Sequence, residues 1–230
     1  MTHHIADVDA DGAIQQQLSE AEGLTRGSFI TRAGGAALTS GAFMAMLPEL
    51  AAAKPSAKQD ISILNYALTL EYLEAAFYAE AVNGGALSGA VLETARLLAA
   101  HEATHVTVLK KTIKTFGGKP VPKPKFDFKG TTGDPTTFLA TSFTLENTGV
   151  HAYLGQVQRI LSKKLLQSAA NIVTIEARHA AAIAGLIGDK PYDLDGGGSN
   201  YTPDGAFDVP FNQKKVLKAV KKTGFIVPSR

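Results

Sequence analysis

The sequence has 230 residues, of which 45% are hydrophobic, and its formal net charge at pH 7 is +2. This near-neutral balance predicts no affinity for nucleic acid or a membrane surface, and the length suits one helical domain with tails. Because cysteine is absent, disulfides, iron–sulfur clusters and thiolate-bound metals are excluded, and a metal site would need Asp, Glu and His ligands, which suit iron, manganese or zinc.

Residues 1–57 precede the first strongly periodic segment, and we expect a disordered stretch followed by an export signal. Residues 25–53 combine basic residues at Arg26 and Arg32, a weakly apolar run over 33–47 and three alanines at 51–53. This layout is typical of secretory signals, although the run is too short and too rich in glycine for a stable membrane span. We expect export to the periplasm or the extracellular space, or a cytoplasmic location if the signal is inactive.

Two segments with apolar residues at helical spacing predict the first two helices of an all-α fold. The first begins at Asp60, a residue type favoured at helix N-caps, and covers 60–83. The second covers 88–116. Residues 117–133 then interrupt the pattern with three prolines and several glycines. They predict a long crossover that runs along the length of a bundle.

Two further periodic segments complete a predicted four-helix bundle made of two helical hairpins. Asp134 followed by Pro135 is typical of a helix start, and the third helix is expected over 135–162. The fourth is expected over 164–187, ended by Gly188.

The remaining residues, 189–230, are rich in Gly, Pro and Asp and predict a tail that wraps the bundle. One short helix is expected near 212–222. The predicted organisation is therefore an N-terminal segment at 1–57, a bundle at 58–188 and a tail at 189–230.

The two predicted hairpins repeat one another in sequence. Thr-Leu-Glu ends at Glu71 in the first and at Glu146 in the second, and each glutamate is followed seven residues later by a tyrosine, Tyr78 or Tyr153. A Glu-x-x-His pair follows each glutamate after about 30 residues, as Glu102–His105 and Glu176–His179. On a helix, residues three apart project from one face.

Packing the hairpins face to face predicts a dimetal centre with six ligands: Glu71, Glu102, His105, Glu146, Glu176 and His179. Four buried carboxylates without counter-charge would be strongly destabilising or would take up protons. Two divalent ions, iron or manganese, would supply four positive charges. A Glu from each of two helices, with Glu-x-x-His from the other two, is the ligand pattern of dimetal carboxylate bundles.

An alternative interpretation is a polar core that pairs internally, for example by Arg178 folding over Glu176. Tyr78 and Tyr153 lie two turns beyond a predicted ligand on the same face. They would therefore hydrogen-bond a carboxylate or relay electrons, or serve as plain core residues.

Three further residues near the predicted site are not expected to be metal ligands. His101 and His151 fall off the metal face by helical angle and are expected at the surface or behind the ligands. Glu74 lies near the edge of the first stripe and has no counterpart in the second half, so Glu71 is preferred.

Four segments, ILNYALTLEYLEAAFYAEAV, AAHEATHVTVLKK, LENTGVHAYLG and TIEARHAA, resemble the bacterial ferritin-like domain family that includes desiccation-related proteins. The resemblance covers about residues 58–190. It implies a ferritin-like bundle with a dimetal centre, but no single reaction. The ligand set also resembles that of manganese catalase, whereas the lack of cysteine argues against a rubrerythrin-type protein. Family members are often exported with twin-arginine signals; here Gly27 stands at the second arginine position.

These features predict an exported dimetal protein whose centre reacts with oxygen or peroxide in oxidative or desiccation stress. A ferroxidase, a peroxidase and a catalase-like activity all fit this hypothesis. The expected partners are metal ions and a small oxidant, and a homodimer is one assembly that fits the sequence. A metal-binding or structural stress protein without turnover is the main alternative, and an iron-storing cage is a third.

Overall fold

A computed structural model describes residues 57–188 and 208–227. The predicted export signal at 25–53, and residues 189–207 of the predicted tail, lie outside the described residues. The four long helices are α1 at Ala57–Asn83, α2 at Gly89–Thr115, α3 at Pro135–Leu154 and α4 at Lys163–Ile187. They form two hairpins, α1 with α2 and α3 with α4, which pack against each other. The predicted four-helix bundle with a long crossover is therefore confirmed.

Each helix of the second hairpin starts with a side-chain cap, of which the one at Asp134 was predicted. The Asp134 carboxylate accepts a hydrogen bond of 2.8 Å from the Thr137 amide, and Pro135 occupies the first turn of α3. At the start of α4, the Ser162 hydroxyl accepts from the Leu165 amide at 3.3 Å. Gly188 ends α4 with a φ of 87°, a left-handed conformation that glycine adopts at low cost.

Asp60 has a different role from the predicted N-cap, because α1 already begins at Ala57. The Asp60 side chain is buried and accepts hydrogen bonds from the Leu161 and Ser162 amides, at 3.0 and 3.1 Å. Asp60 therefore joins the start of α1 to the start of α4, rather than capping its own helix.

The third helix is shorter than predicted: it ends at Leu154, not near Ser162. At Gly155 the tail backbone passes so close that a Cβ atom would lie 1.8 Å from the Phe211 carbonyl oxygen. The chain continues through turns, and the apolar residue Val157 is exposed. The apolar spacing over 155–162 thus resembles a helix, but tail docking and the Asp60 bonds redirect the chain.

Two apolar layers fill the bundle, one on each side of a polar middle. Phe77, Tyr78, Phe138 and Ile183 belong to one layer. The other layer includes Leu68, Leu109, Ile113, Tyr153 and Ile172.

The crossover and the tail close the first of these layers. Strand β1 at Lys125–Phe126 pairs antiparallel with strand β2 at Ile226–Val227. Helix α5 spans Gln213–Thr223, close to the predicted short helix. Val216, Val220 and Phe225 are buried in the layer that contains Phe77, as expected for a wrapping tail. Among the described helices, none has the length and apolarity needed to cross a membrane.

Candidate metal centre

The structure brings all six predicted ligands together in the polar middle of the bundle. Glu71 comes from α1, Glu102 and His105 from α2, Glu146 from α3, and Glu176 and His179 from α4. The four carboxylates are fully buried, and the side chains of His179 and His105 are 4% and 11% exposed. Each residue occupies a stripe position between apolar neighbours, so the packing that buries those neighbours also buries the polar groups.

The donor atoms form two overlapping groups, and within each group they lie within 4.8 Å of one another. The first group, which we call position A, contains Glu71, Glu102, His105 and Glu176. The second, position B, contains Glu102, Glu146, Glu176 and His179. Glu102 and Glu176 belong to both, which is the arrangement expected of carboxylates shared between two metal ions.

Each imidazole presents the same nitrogen to several carboxylates. His105 Nδ1 lies 3.1 Å from Glu71 Oε2, 3.1 Å from Glu102 Oε2 and 3.2 Å from Glu176 Oε1. A single Nδ1–H cannot donate a well-aligned hydrogen bond to three oxygens at once. The convergence is that of donor atoms around a cation.

The second imidazole repeats this arrangement in position B. His179 Nδ1 lies 3.1 Å from Glu146 Oε2 and 3.1 Å from Glu102 Oε1. The two histidines therefore face the shared carboxylates in equivalent ways.

Several carboxylate oxygens in this cluster have no hydrogen-bond partner. Both oxygens of Glu176 and Oε1 of Glu102 are buried without one, although imidazole nitrogens lie close to them. Arg178, the alternative counter-charge for Glu176, is exposed and forms no ion pair with it. The predicted alternative in which Arg178 pairs with Glu176 is therefore wrong. Unsatisfied buried carboxylate oxygens are costly, and together with the imidazole nitrogens they form a donor set that is compatible with a metal ion.

Burial and crowding shift the acid–base properties of the cluster. Burial raises the pKa of Glu71 to about 8, against the opposing effect of the His105 hydrogen bond. Burial and then the charge of Glu71 raise the pKa of Glu176 well above its ordinary value. For Glu102, burial is outweighed by the neighbouring imidazoles of His105 and His179, and the pKa falls to about 2. Two of the carboxylic acids thus resist ionisation unless a cation is near.

The same carboxylates reverse the effect of burial on the histidines. Burial alone would lower the pKa of both histidines. The adjacent glutamates instead raise the pKa of His105 to about 12 and that of His179 to about 9. Two imidazolium charges balance only two ionised carboxylates, so the other two can ionise only if further positive charge enters the cluster.

Tyr78 and Tyr153 reach across the bundle to the opposite hairpin. The Tyr78 hydroxyl donates to Glu146 Oε1 at 2.5 Å, and the Tyr153 hydroxyl donates to Glu71 Oε1 at 2.5 Å. Burial, followed by the charge of the partner glutamate, raises the pKa of both tyrosines well above the ordinary value. Both therefore stay protonated donors that orient a carboxylate, which is one of the roles predicted for them.

Comparison with known proteins agrees with this fold. The model of the ferritin-like domain family matches residues 59–189, more than half of the chain. The chain belongs to the ferritin-like domain family. No curated protein matches the sequence significantly.

Within this ferritin-like domain, the two histidines that were not expected to be ligands lie outside both donor groups. His101 Nδ1 lies 2.9 Å from His179 Nε2, so it supports the imidazole of position B from behind. His151 stacks on Phe211 of the tail, with ring centroids 4.2 Å apart.

Glu74 departs from the prediction that it lies near the edge of its stripe. It is only 3% exposed and forms no hydrogen bond or ion pair with any described residue. Burial, followed by the charge of Glu176, raises the pKa of Glu74 well above its ordinary value. Its spacing of three residues from Glu71 was the signal for burial on the same face. Because Glu74 has no counterpart in the second half, the sequence repeat did not indicate its burial.

Proposed function

We propose that this ferritin-like domain binds two divalent ions, iron or manganese, one at position A and one at position B. The observation that carries the proposal is the pair of unsatisfied Glu176 oxygens at the centre of four fully buried carboxylates. Two divalent ions carry four positive charges, which would balance all four carboxylates in their ionised form with both imidazoles neutral.

In this proposal Glu71 and His105 serve position A, Glu146 and His179 serve position B, and Glu102 and Glu176 are shared. Such ligands must be deprotonated, which a cation favours by lowering the pKa of each carboxyl group. Tyr78 and Tyr153 hold the unshared carboxylates in orientation from the opposite hairpin.

We further propose that the centre reacts with dioxygen or peroxide. Bound iron or manganese would supply the redox chemistry, and the chain supplies a dry site between two apolar layers. An almost wholly apolar cavity of about 30 Å³ is lined in part by Tyr153, Tyr66 and Leu109. None of the six proposed ligands lines this cavity, but Tyr153, which donates to Glu71, does.

Protection against oxidative or desiccation stress, after export, is the physiological role that we propose with this chemistry. The support is the sequence resemblance to desiccation-related proteins and the signal-like segment at 25–53. Cell fractionation tests the export, and size-exclusion chromatography with light scattering tests the proposed homodimer against an iron-storing cage.

Metal content of the purified protein tests the proposed site most directly. Wild type should hold about two ions per chain after exposure to Fe(II) or Mn(II) and dialysis. Glu102→Ala should hold almost none, because Glu102 belongs to both positions. Glu93, on the exposed side of α2, gives the matched control Glu93→Ala, which should match wild type. A wild-type protein without metal would refute the proposal.

Turnover separates an enzyme from a metal-binding protein without activity. The loaded protein should release oxygen from hydrogen peroxide, or oxidise excess Fe(II) in air, faster than the same protein carrying Glu102→Ala. If the fully loaded wild type reacts no faster than the Glu102→Ala variant, the non-catalytic alternative is favoured.

A further inference from the structure

The duplicated site has one conspicuous asymmetry in its carboxylates. Glu74 follows Glu71 by three residues, and the residue three after Glu146 in the second half is Gly149. The repeat thus places a carboxylate on α1 where α3 has no side chain at all.

Glu74 and Gly149 are adjacent in the folded bundle. A Cβ atom on Gly149 would lie 3.0 Å from Glu176 Oε2 and 3.4 Å from Glu74 Oε1. The glycine therefore leaves open the space in which the Glu74 and Glu176 carboxylates approach each other. A methyl group there would press on the Glu176 oxygen, which has no hydrogen-bond partner.

Glu74 itself is a buried carboxylate without any counter-group. It is 3% exposed and pairs with no described residue. The glutamate charges that act on it most strongly are those of Glu176 and then Glu146. Glu146 belongs to position B only, whereas Glu176 is shared by both positions. A structural role would give such a buried carboxylate a hydrogen-bond donor, and none is present among the described residues.

A second departure from the repeat falls at the same position. His101, which contacts His179 Nε2 at 2.9 Å, corresponds to Ile175 in the second half, so position A has no equivalent histidine behind His105. His101 is thus a second unmatched polar residue, and it contacts a ligand of position B.

We propose that Glu74 is an additional carboxylate ligand of position B, admitted by Gly149, and that it makes the two metal positions unequal in affinity. This inference rests on the proposed dimetal site. In the structure Glu74 belongs to neither donor group, and the room beside Gly149 lies between its carboxylate and Glu176. An added anionic oxygen ligand favours a hard divalent ion at position B.

The test isolates each position before Glu74 is changed. Glu71→Ala removes a ligand of position A only, and Glu146→Ala removes a ligand of position B only. Glu74→Gln is then added to each background, with the exposed residue change Glu93→Gln as a matched control. Co(II) serves as the probe, with affinity from calorimetric titration and coordination from visible absorption.

In the Glu71→Ala background, Glu74→Gln should weaken Co(II) binding at least tenfold and change the visible spectrum. In the Glu146→Ala background, the same substitution should change the Kd less than threefold. Equal effects in the two backgrounds, or weaker binding with an unchanged spectrum, would overturn the assignment of Glu74 as a ligand. These outcomes leave the proposed function standing. Failure of the wild type to bind Co(II), Mn(II) or Fe(II) would instead refute the dimetal site itself.

Discussion

The two hairpins of the bundle provide equivalent donor atoms in unequal surroundings. Glu71 and Glu146 each accept a hydrogen bond from a tyrosine of the opposite hairpin. Each hairpin also contributes one carboxylate that both metal positions share. In these respects the second half repeats the first.

The differences between the hairpins lie immediately around the donors. Glu74 has Gly149 as its counterpart, and His151, which stacks on Phe211 of the tail, has Ala76. Duplication thus accounts for the paired donor atoms, whereas the unmatched residues make the surroundings of the two halves different. Substitutions in equivalent pairs can separate the two contributions.

The largest expected effect comes from removing a shared carboxylate rather than an unshared ligand. Glu176→Ala should abolish binding at both positions, because Glu176 belongs to both donor groups. His105→Ala and His179→Ala should each leave one ion per chain. Metal analysis by mass spectrometry measures this ratio, and two retained ions in Glu176→Ala would contradict the shared role.

The next expected effect is a pH-dependent loss of stability in the metal-stripped protein. Glu71 ionises near pH 8 in the folded state instead of its ordinary 4.5, so between these values the folded state binds more protons than the unfolded state. Stability must then fall as pH rises through this window. The raised pKa of His105 acts in the same direction above pH 6.5.

Urea unfolding at pH 5.5 and pH 8.0, after treatment with a chelator, measures this effect. The urea midpoint of the metal-stripped protein should be lower at pH 8.0 than at pH 5.5. Mn(II) should raise that midpoint, because metal binding favours the ionised carboxylates at higher pH. A stripped protein that is more stable at pH 8.0 would show that the carboxylates are compensated by other groups.

A third expected effect concerns the tail, which approaches the second hairpin closely at Gly155. Gly155→Ala would place a methyl group on the Phe211 carbonyl, and it should lower the unfolding free energy by about 3 kcal/mol. The matched control is Gly185→Ala in α4, where a Cβ atom meets nothing within 4 Å. That variant should be more stable than wild type by about 0.5–1 kcal/mol, since alanine favours a helix. Thermal unfolding of both proteins provides the comparison.

The smallest expected effect comes from the tyrosines, and it should be the same in both halves. Tyr78→Phe and Tyr153→Phe each remove one buried hydrogen bond to a carboxylate, at a cost of about 1.5 kcal/mol in unfolding free energy. Chemical denaturation of the metal-loaded variants measures it. Values that differ by more than about 1 kcal/mol would indicate that the two hydroxyl groups have different roles.

Much of this arrangement follows from the sequence because helical periodicity and the repeat reinforce each other. The six donors stand where the apolar stripes require buried positions, so a pattern of types and spacings was sufficient to find them. The early end of α3 was not predictable in this way. It depends on the contact between Gly155 and Phe211, which are far apart in the chain. Long-range contacts of this kind override local helical propensity.

Asp60 and Glu74 illustrate the same limit in the polar residues. The sequence shows a good capping residue at Asp60, but the amides that it binds lie about 100 residues away. Glu74 lacks a repeat partner, and only the packed bundle reveals that Gly149 makes room for it.

The cross-hairpin origin of the donors has a consequence for the order of assembly. A separate first hairpin offers Glu71, Glu102 and His105 but lacks Glu176, and a separate second hairpin lacks Glu102. Each tyrosine also orients a carboxylate of the other hairpin only after the two have docked. If the centre binds two ions as proposed, a nascent chain would capture an ion weakly on its first hairpin, and it would retain two only once the second hairpin has been synthesised and docked. Metal supply during biosynthesis should thus govern the yield of folded protein.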